Sequence, residues 1–154
     1  MFIERNDNIF LAGHNGMLGR SIYKKLKKKG YKKIYTVDKK NINLKDSNKI
    51  NKFLKNNKFD AVINCAAKVG GIISNQKYPA DYIIDNSLIN NNLILFSHLN
   101  NITKYINIGS SCIYPKNTNT PIKENQLLTN SLEKTNEYYA IAKITGLKLC
   151  EAFN

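Results

Sequence analysis

The chain has 154 residues, with 24 Lys or Arg against 11 Asp or Glu, for a formal net charge of +13. That length is one domain by size and holds enough residues for a real core. All but Arg5 and Arg20 of the basic residues are lysine, and no zinc spacing or aromatic-rich basic strand accompanies them. The charge therefore reads as a solvated lysine surface that attracts small anions, and nucleic acid is excluded as a partner.

Met1–Asp7 is a polar lead-in. Asn8–Ala12 is an apolar run that reads as a strand, and Gly13-His14-Asn15-Gly16-Met17-Leu18-Gly19 follows at once. Three glycines at that spacing, between a strand and a helix, suit a dinucleotide turn: a tight bend, close backbone approach to a pyrophosphate, and close helix–strand packing. The helix start then offers free N–H groups and a positive dipole end to phosphate, so Gly13, Asn15, Gly16, Met17, Leu18 and Gly19 are the expected cofactor-binding residues. Leu18, Ile22 and Leu26 mark one apolar helix face, lysines crowd its C-terminal end, and Gly30 stops it.

Tyr31–Val37 is expected as a second strand, closed by Asp38-Lys39-Lys40. At this point an acid favours a free ribose 2′-OH and a base favours a 2′-phosphate, and here both are present. Asp46 or Ser47 caps a helix carrying Ile50, Phe53 and Leu54 inward. Asp60–Asn64 is a third strand, followed by the small residues Cys65, Ala66 and Ala67, where a backbone can approach a cofactor closely. Cys65, Cys112 and Cys150 make an odd count without a C-x-x-C pair or a secretory signal, which sets the expectation of a reducing, cytoplasmic setting.

Pro79 opens a long helix over Ala80–Leu99. Its apolar run is broken by Asp85, Asn86, Asn90, Asn91 and Asn92, so it is no membrane span. Its apolar arc is wider than one sheet face requires, and Ile83, Ile89 and Phe96 cannot all turn inward together. Lys104–Gly109 leads to Ser110, Ser111 and Cys112; a long polar connection follows, and Glu137–Phe153 is a helix with Tyr139 and Lys143 on one face. A lysine beside a phenol lowers the tyrosine pKa, and a serine hydroxyl can bind a carbonyl while the tyrosine delivers its proton. That is the apparatus for reducing a ketone with a nicotinamide cofactor. The alternation of strands and helices argues for an α/β, doubly wound parallel sheet of Rossmann-like type.

Four blocks, Gly13–Gly19, Ala66–Ile72, Gly109–Lys116 and Tyr139–Lys143, give the chain a family likeness. It resembles the extended short-chain dehydrogenases and, within them, the GDP-L-fucose synthase group. The resemblance implies NADPH-dependent 3,5-epimerisation and 4-reduction of GDP-4-keto-6-deoxy-D-mannose. It assigns catalytic roles to Ser110, Tyr139 and Lys143, with Lys143 also on the nicotinamide ribose. Cys112 becomes the base that removes protons beside the ketone, and other branches usually lack a cysteine there. Cofactor use in the group, NADP, favours Lys39 and Lys40 over Asp38, and Ala66 and Ala67 are placed near the nicotinamide. Residues 1–154 are then one NAD(P)-binding Rossmann domain of a longer protein, whose sugar-gripping lobe and acid/base histidine lie elsewhere; neither His14 nor His98 matches that histidine. A homodimer through helices 80–99 and 137–153 is also implied. Two alternatives stand beside this: another NAD(P)-dependent sugar-nucleotide epimerase or dehydratase, and a truncated nucleotide-binding module without activity.

Overall fold

The computed structural model describes residues 2–154. Four strands, β1 (Ile9–Ala12), β2 (Ile34–Tyr35), β3 (Ala61–Asn64) and β4 (Lys104–Asn107), form one parallel sheet in the order β2-β1-β3-β4. Ile9 pairs with Ile34 on one side and Ala61 on the other, and Asn64 pairs with Asn107. Five helices connect and cover the strands: α1 (Met17–Lys28), α2 (Ser47–Asn57), α3 (Ile72–Lys77), α4 (Pro79–Leu99) and α5 (Glu137–Ala152).

Because helices lie on both faces, β1 and β3 are buried at every position and read as unbroken apolar runs, apart from Asn64. Phe10, Ala12 and Val62 pack with Ile50, Leu54, Phe59 and Leu93 on one face. Ile9, Leu11, Ala61 and Ile63 face the other way, towards Ile22, Leu26 and Ile34. The expected cap of α2 is Asp46, whose carboxylate accepts from the Lys49 N–H at 3.0 Å. Gly30, at φ +86°, ends α1 as expected.

Two expectations need correction, and a third, left open, is decided. The second strand pairs over Ile34–Tyr35 alone, not Tyr31–Val37, because this edge strand leaves β1 to bring Asp38 to the glycine turn. Leu18 is exposed instead of lying on the inner face of α1, since it sits in the first turn, beyond the edge of the sheet core. On α4, Ile89 and Phe96 pack against the core, and Leu93 and Ile94 are buried; the stripe left exposed is Ile84, Leu88, Leu95 and Leu99. Asparagine reverses the arc there. Asn86, Asn90 and Asn92 all turn inward and spend their amides on Lys68, Ala142 and Leu44 carbonyls, which rotates leucines out to the surface.

The same asparagines set the position of α5. Asn64 donates to Asn90 and Asn107 at 3.1 Å each, and Asn90 donates to the Ala142 carbonyl at 3.1 Å. A Cβ on Gly146 would lie 2.7 Å from Asn90 Nδ2, so the glycine lets α5 and α4 approach closely. Buried amides that satisfy one another specify one arrangement of helix on sheet. In that arrangement the N-terminal turns of α5 sit beside the C-terminal end of β4.

Candidate functional site

Chain order reverses at β1, with β2 on one side and β3 on the other, and this is where parallel α/β sheets bind ligands. Gly13 ends β1 at φ +80°, and a Cβ there would lie 2.6 Å from the Ala66 nitrogen. Only glycine permits that crossing of two backbones. Gly19 makes the helix side equally tight, since its Cβ would lie 2.1 Å from the Gly13 carbonyl oxygen. Gly16 precedes α1 in an extended conformation without a side-chain cap, which leaves first-turn N–H groups for an anion.

A crevice of 400 Å³ opens here, with Gly13, Asn15, Gly16, Lys39, Ala66 and Ala67 on its walls. Asn15 Nδ2 donates to Asp38 Oδ1 at 2.7 Å, so the acid at the end of β2 is tied to the glycine turn. Met17 and Leu18 are exposed at the start of α1, and Lys40 is exposed outside the crevice wall. Sequence reasoning missed Lys45 and Asp85, which meet at 2.6 Å on the far wall; they come from separate elements and carry no motif. The uncapped helix start, the close crossing and the apolar-and-basic crevice fit a nicotinamide dinucleotide.

Past β4 the chain runs through Ile108 and Gly109 into a 3₁₀ turn, Ser111–Ile113, capped by the Ser110 hydroxyl, which accepts from the Cys112 N–H at 3.3 Å. Tyr139 lies in the first turn of α5 and Lys143 one turn later. The Ser110 hydroxyl acts on the Tyr139 phenol, favouring its charged form. Cys112 Sγ accepts from Asn136 Nδ2 at 3.3 Å. Tyr139 and Lys143, paired by spacing, and Ser110 and Cys112, assigned by the resemblance, are thus brought together, while Ser111 stays exposed.

The electrostatics differ from expectation. Lys143 is 3% exposed and donates to the Ile108 carbonyl at 2.7 Å, with its ammonium 6.0 Å from the centroid of the Tyr139 ring. Burial pushes the Lys143 pKa down. Tyr139 is not lowered: burial pushes its phenol up, the Ser110 hydrogen bond partly opposes this, and the nearby Cys112 adds to the rise. Desolvation of the phenolate outweighs attraction to an ammonium committed elsewhere. A phenol held protonated suits the acid role.

Tyr139 and Cys112 share a cavity of 150 Å³ with Val69, Gly70, Asn75 and Asn136. Neither asparagine was singled out from sequence. Asn136 stands just before the α5 start, three residues ahead of Tyr139, and that position is the one signal available; Asn75 lies on α3, a short helix for which the sequence set no expectation.

Fold and site together define a Rossmann-type dinucleotide-binding domain carrying a Ser-Tyr-Lys constellation. The chain belongs to the NAD dependent epimerase/dehydratase family, whose pattern matches residues 9–154. It is 45% identical over 146 residues to the GDP-L-fucose synthase of Escherichia coli (strain K12), covering 95% of this chain and 46% of that protein. It also superposes on a GDP-D-glycero-L-gluco-heptose synthase from Campylobacter jejuni, solved in the presence of NADPH, with a TM-score of 0.95 and 33% identity, over 99% of this chain and 45% of that one. A GDP-L-fucose synthetase from Naegleria fowleri bound to NADP matches with a TM-score of 0.89 and 26% identity, over 100% and 50% of the two chains. The chain spans under half the length of the curated relatives it matches. No helix among the described residues is long and apolar enough to cross a membrane.

Proposed function

We propose that the full-length protein converts GDP-4-keto-6-deoxy-D-mannose to GDP-L-fucose, by epimerisation at C3 and C5 followed by NADPH-dependent reduction at C4. The observation that carries this reading is the cavity shared by the Cys112 thiol and the Tyr139 phenol, because the two steps need a carbon base and an oxygen acid on one sugar. NADPH, when bound, supplies the hydride for C4. Ser110 binds the keto oxygen, and Tyr139, protonated near neutrality, delivers its proton to that oxygen. Lys143 braces the Ile108 carbonyl and reaches the nicotinamide ribose. Cys112, as thiolate, removes the proton from carbon beside the ketone, where the charge delocalises into an enolate; a group outside residues 1–154 returns a proton to the opposite face.

The turn Gly13–Gly19, with the N–H groups of Met17 and Leu18 and the Asn15 side chain, would hold the pyrophosphate. Ala66 and Ala67 leave room for the nicotinamide half. Lys39, on the crevice wall, with Lys40 next to it in sequence, would hold the 2′-phosphate, while Asp38 is tied to Asn15. Residues 1–154 act as one NAD(P)-binding domain in a cytoplasmic homodimer, joined through α4 and α5. The exposed apolar stripe Ile84, Leu88, Leu95 and Leu99 on α4, together with exposed Tyr138 and Ile141 on α5, supports that assembly.

Solvent deuterium incorporation in the full-length protein tests the reading. The variant Cys112→Ser is expected to lose exchange at C3 and C5 by about 10²–10⁴-fold, the usual contribution of a positioned base. Exchange at the wild-type rate would remove Cys112 from the chemistry.

A further inference from the structure

The 150 Å³ cavity beside Cys112 carries two polar groups that acid and base chemistry leave unused. Asn75 is 7% exposed, and its amide hydrogens go to the Gly70 carbonyl at 3.0 Å and the Gly71 carbonyl at 3.1 Å. Two carbonyl acceptors settle which end of this amide is nitrogen, since an oxygen there would face two oxygens. The other end, Asn75 Oδ1, is buried without a donor among the described residues. Asn136 repeats the pattern from a different element: Nδ2 is spent on Cys112 Sγ, and Oδ1 is buried without a donor.

A buried acceptor without a partner is costly, so two on residues that line one cavity call for donors brought by a ligand. A cavity of about 150 Å³ holds one six-membered ring. With cysteine, tyrosine and two asparagines lining it, the matching ring is one that bears hydroxyls.

We propose that Asn75 and Asn136 are substrate-binding residues whose amide oxygens accept hydrogen bonds from ring hydroxyls of the hexose placed over Cys112 and Tyr139. This rests on the sugar-nucleotide reading above and deepens it. Asn136 then touches both the sugar and the thiol, and so fixes where Cys112 stands relative to the ring. Asn75 reads hydroxylation at the floor of the cavity, where a deoxy ring carbon leaves its oxygen unpaired.

The test measures binding of GDP-mannose and its 2-deoxy and 3-deoxy analogues to the full-length protein, with NADPH affinity as a control. Wild type is expected to favour GDP-mannose over at least one deoxy analogue by roughly ten-fold, the scale of one hydrogen bond to a buried acceptor. Asn75→Leu and Asn136→Leu should each lose that preference for one analogue while NADPH affinity holds. The preference is a ratio within one protein, so a lower folded fraction does not alter it. Undiminished preference in both leucine variants overturns the assignment of the two asparagines alone. A wild type that binds NADPH but no GDP-sugar overturns the functional reading, and this inference with it.

Discussion

Gly13→Ala, set against Gly30→Ala, isolates the energy of the β1–β3 crossing that shapes the cofactor crevice. Both glycines have positive φ, +80° and +86°, so both variants incur the left-handed penalty of about 1–2 kcal/mol. They differ in surroundings. An alanine Cβ at 30 meets nothing within 4 Å, whereas at 13 it lies 2.6 Å from the Ala66 nitrogen and 2.7 Å from Ala66 Cα and the Cys65 carbonyl carbon. Those neighbours are backbone of a central strand's end and cannot swing aside like a side chain. Overpacking of that kind adds about 1–3 kcal/mol, so Gly13→Ala should lose roughly 2–5 kcal/mol in all. Against a typical domain stability of about 5–15 kcal/mol, the variant still folds but melts visibly earlier. Urea unfolding followed by far-ultraviolet circular dichroism, with and without NADPH, measures both effects. Bound ligand raises the midpoint of wild type and Gly30→Ala, and raises that of Gly13→Ala less, because the crossing is where the pyrophosphate turn sits. Equal losses in the two variants, within about 0.5 kcal/mol, would refute the close-approach reasoning.

Calorimetry should give tighter binding of NADPH than NADH, with Lys39→Gln narrowing the gap; equal affinities would transfer ribose recognition to Asp38. In sedimentation, Leu88→Asp and Leu95→Asp should convert a dimer to monomer, since both lie on the exposed stripe of α4, while Ile89→Asp should unfold the chain because it packs on the core. A dimer that survives both stripe variants places the interface elsewhere. The Asp7–Lys104 pair, 2.8 Å apart and largely covered, contributes to stability towards both pH extremes. The Lys104 hydrogen bond holds Asp7 below its ordinary 3.8, so its contribution is present above that pH and is lost as pH falls through the lower folded value. Lys104 is raised above 10.5 by the same bond, so its contribution is present below 10.5 and fades as pH rises through the folded value. Asp7→Asn should flatten both limbs of the stability–pH curve, and an unchanged curve would sink the assignment.

Local pattern carried the parts of this protein that depend on neighbours along the chain. The strands β1 and β3 are legible because burial on both faces demands uninterrupted apolar runs, and the glycine turn because its spacing sets a backbone shape. The cap at Asp46 and the stop at Gly30 follow from single residues acting within one turn. Tyr139 and Lys143 share a helix face whatever surrounds them. Distance along the chain hides the rest. Apolar periodicity on α4 left open which of Ile83, Ile89 and Phe96 turn inward, and three inward asparagines, paired with carbonyls far away in sequence, set the helix so that Leu88 and Leu95 are exposed. Spacing placed a lysine near a tyrosine, but the tertiary fold committed Lys143 to the Ile108 carbonyl and let burial set the phenol. Asn75 and Asn136 come to one cavity from α3 and from the start of α5. Sequence determines what a residue can donate or accept; only the folded chain decides which partners are in reach and how much water is left to compete.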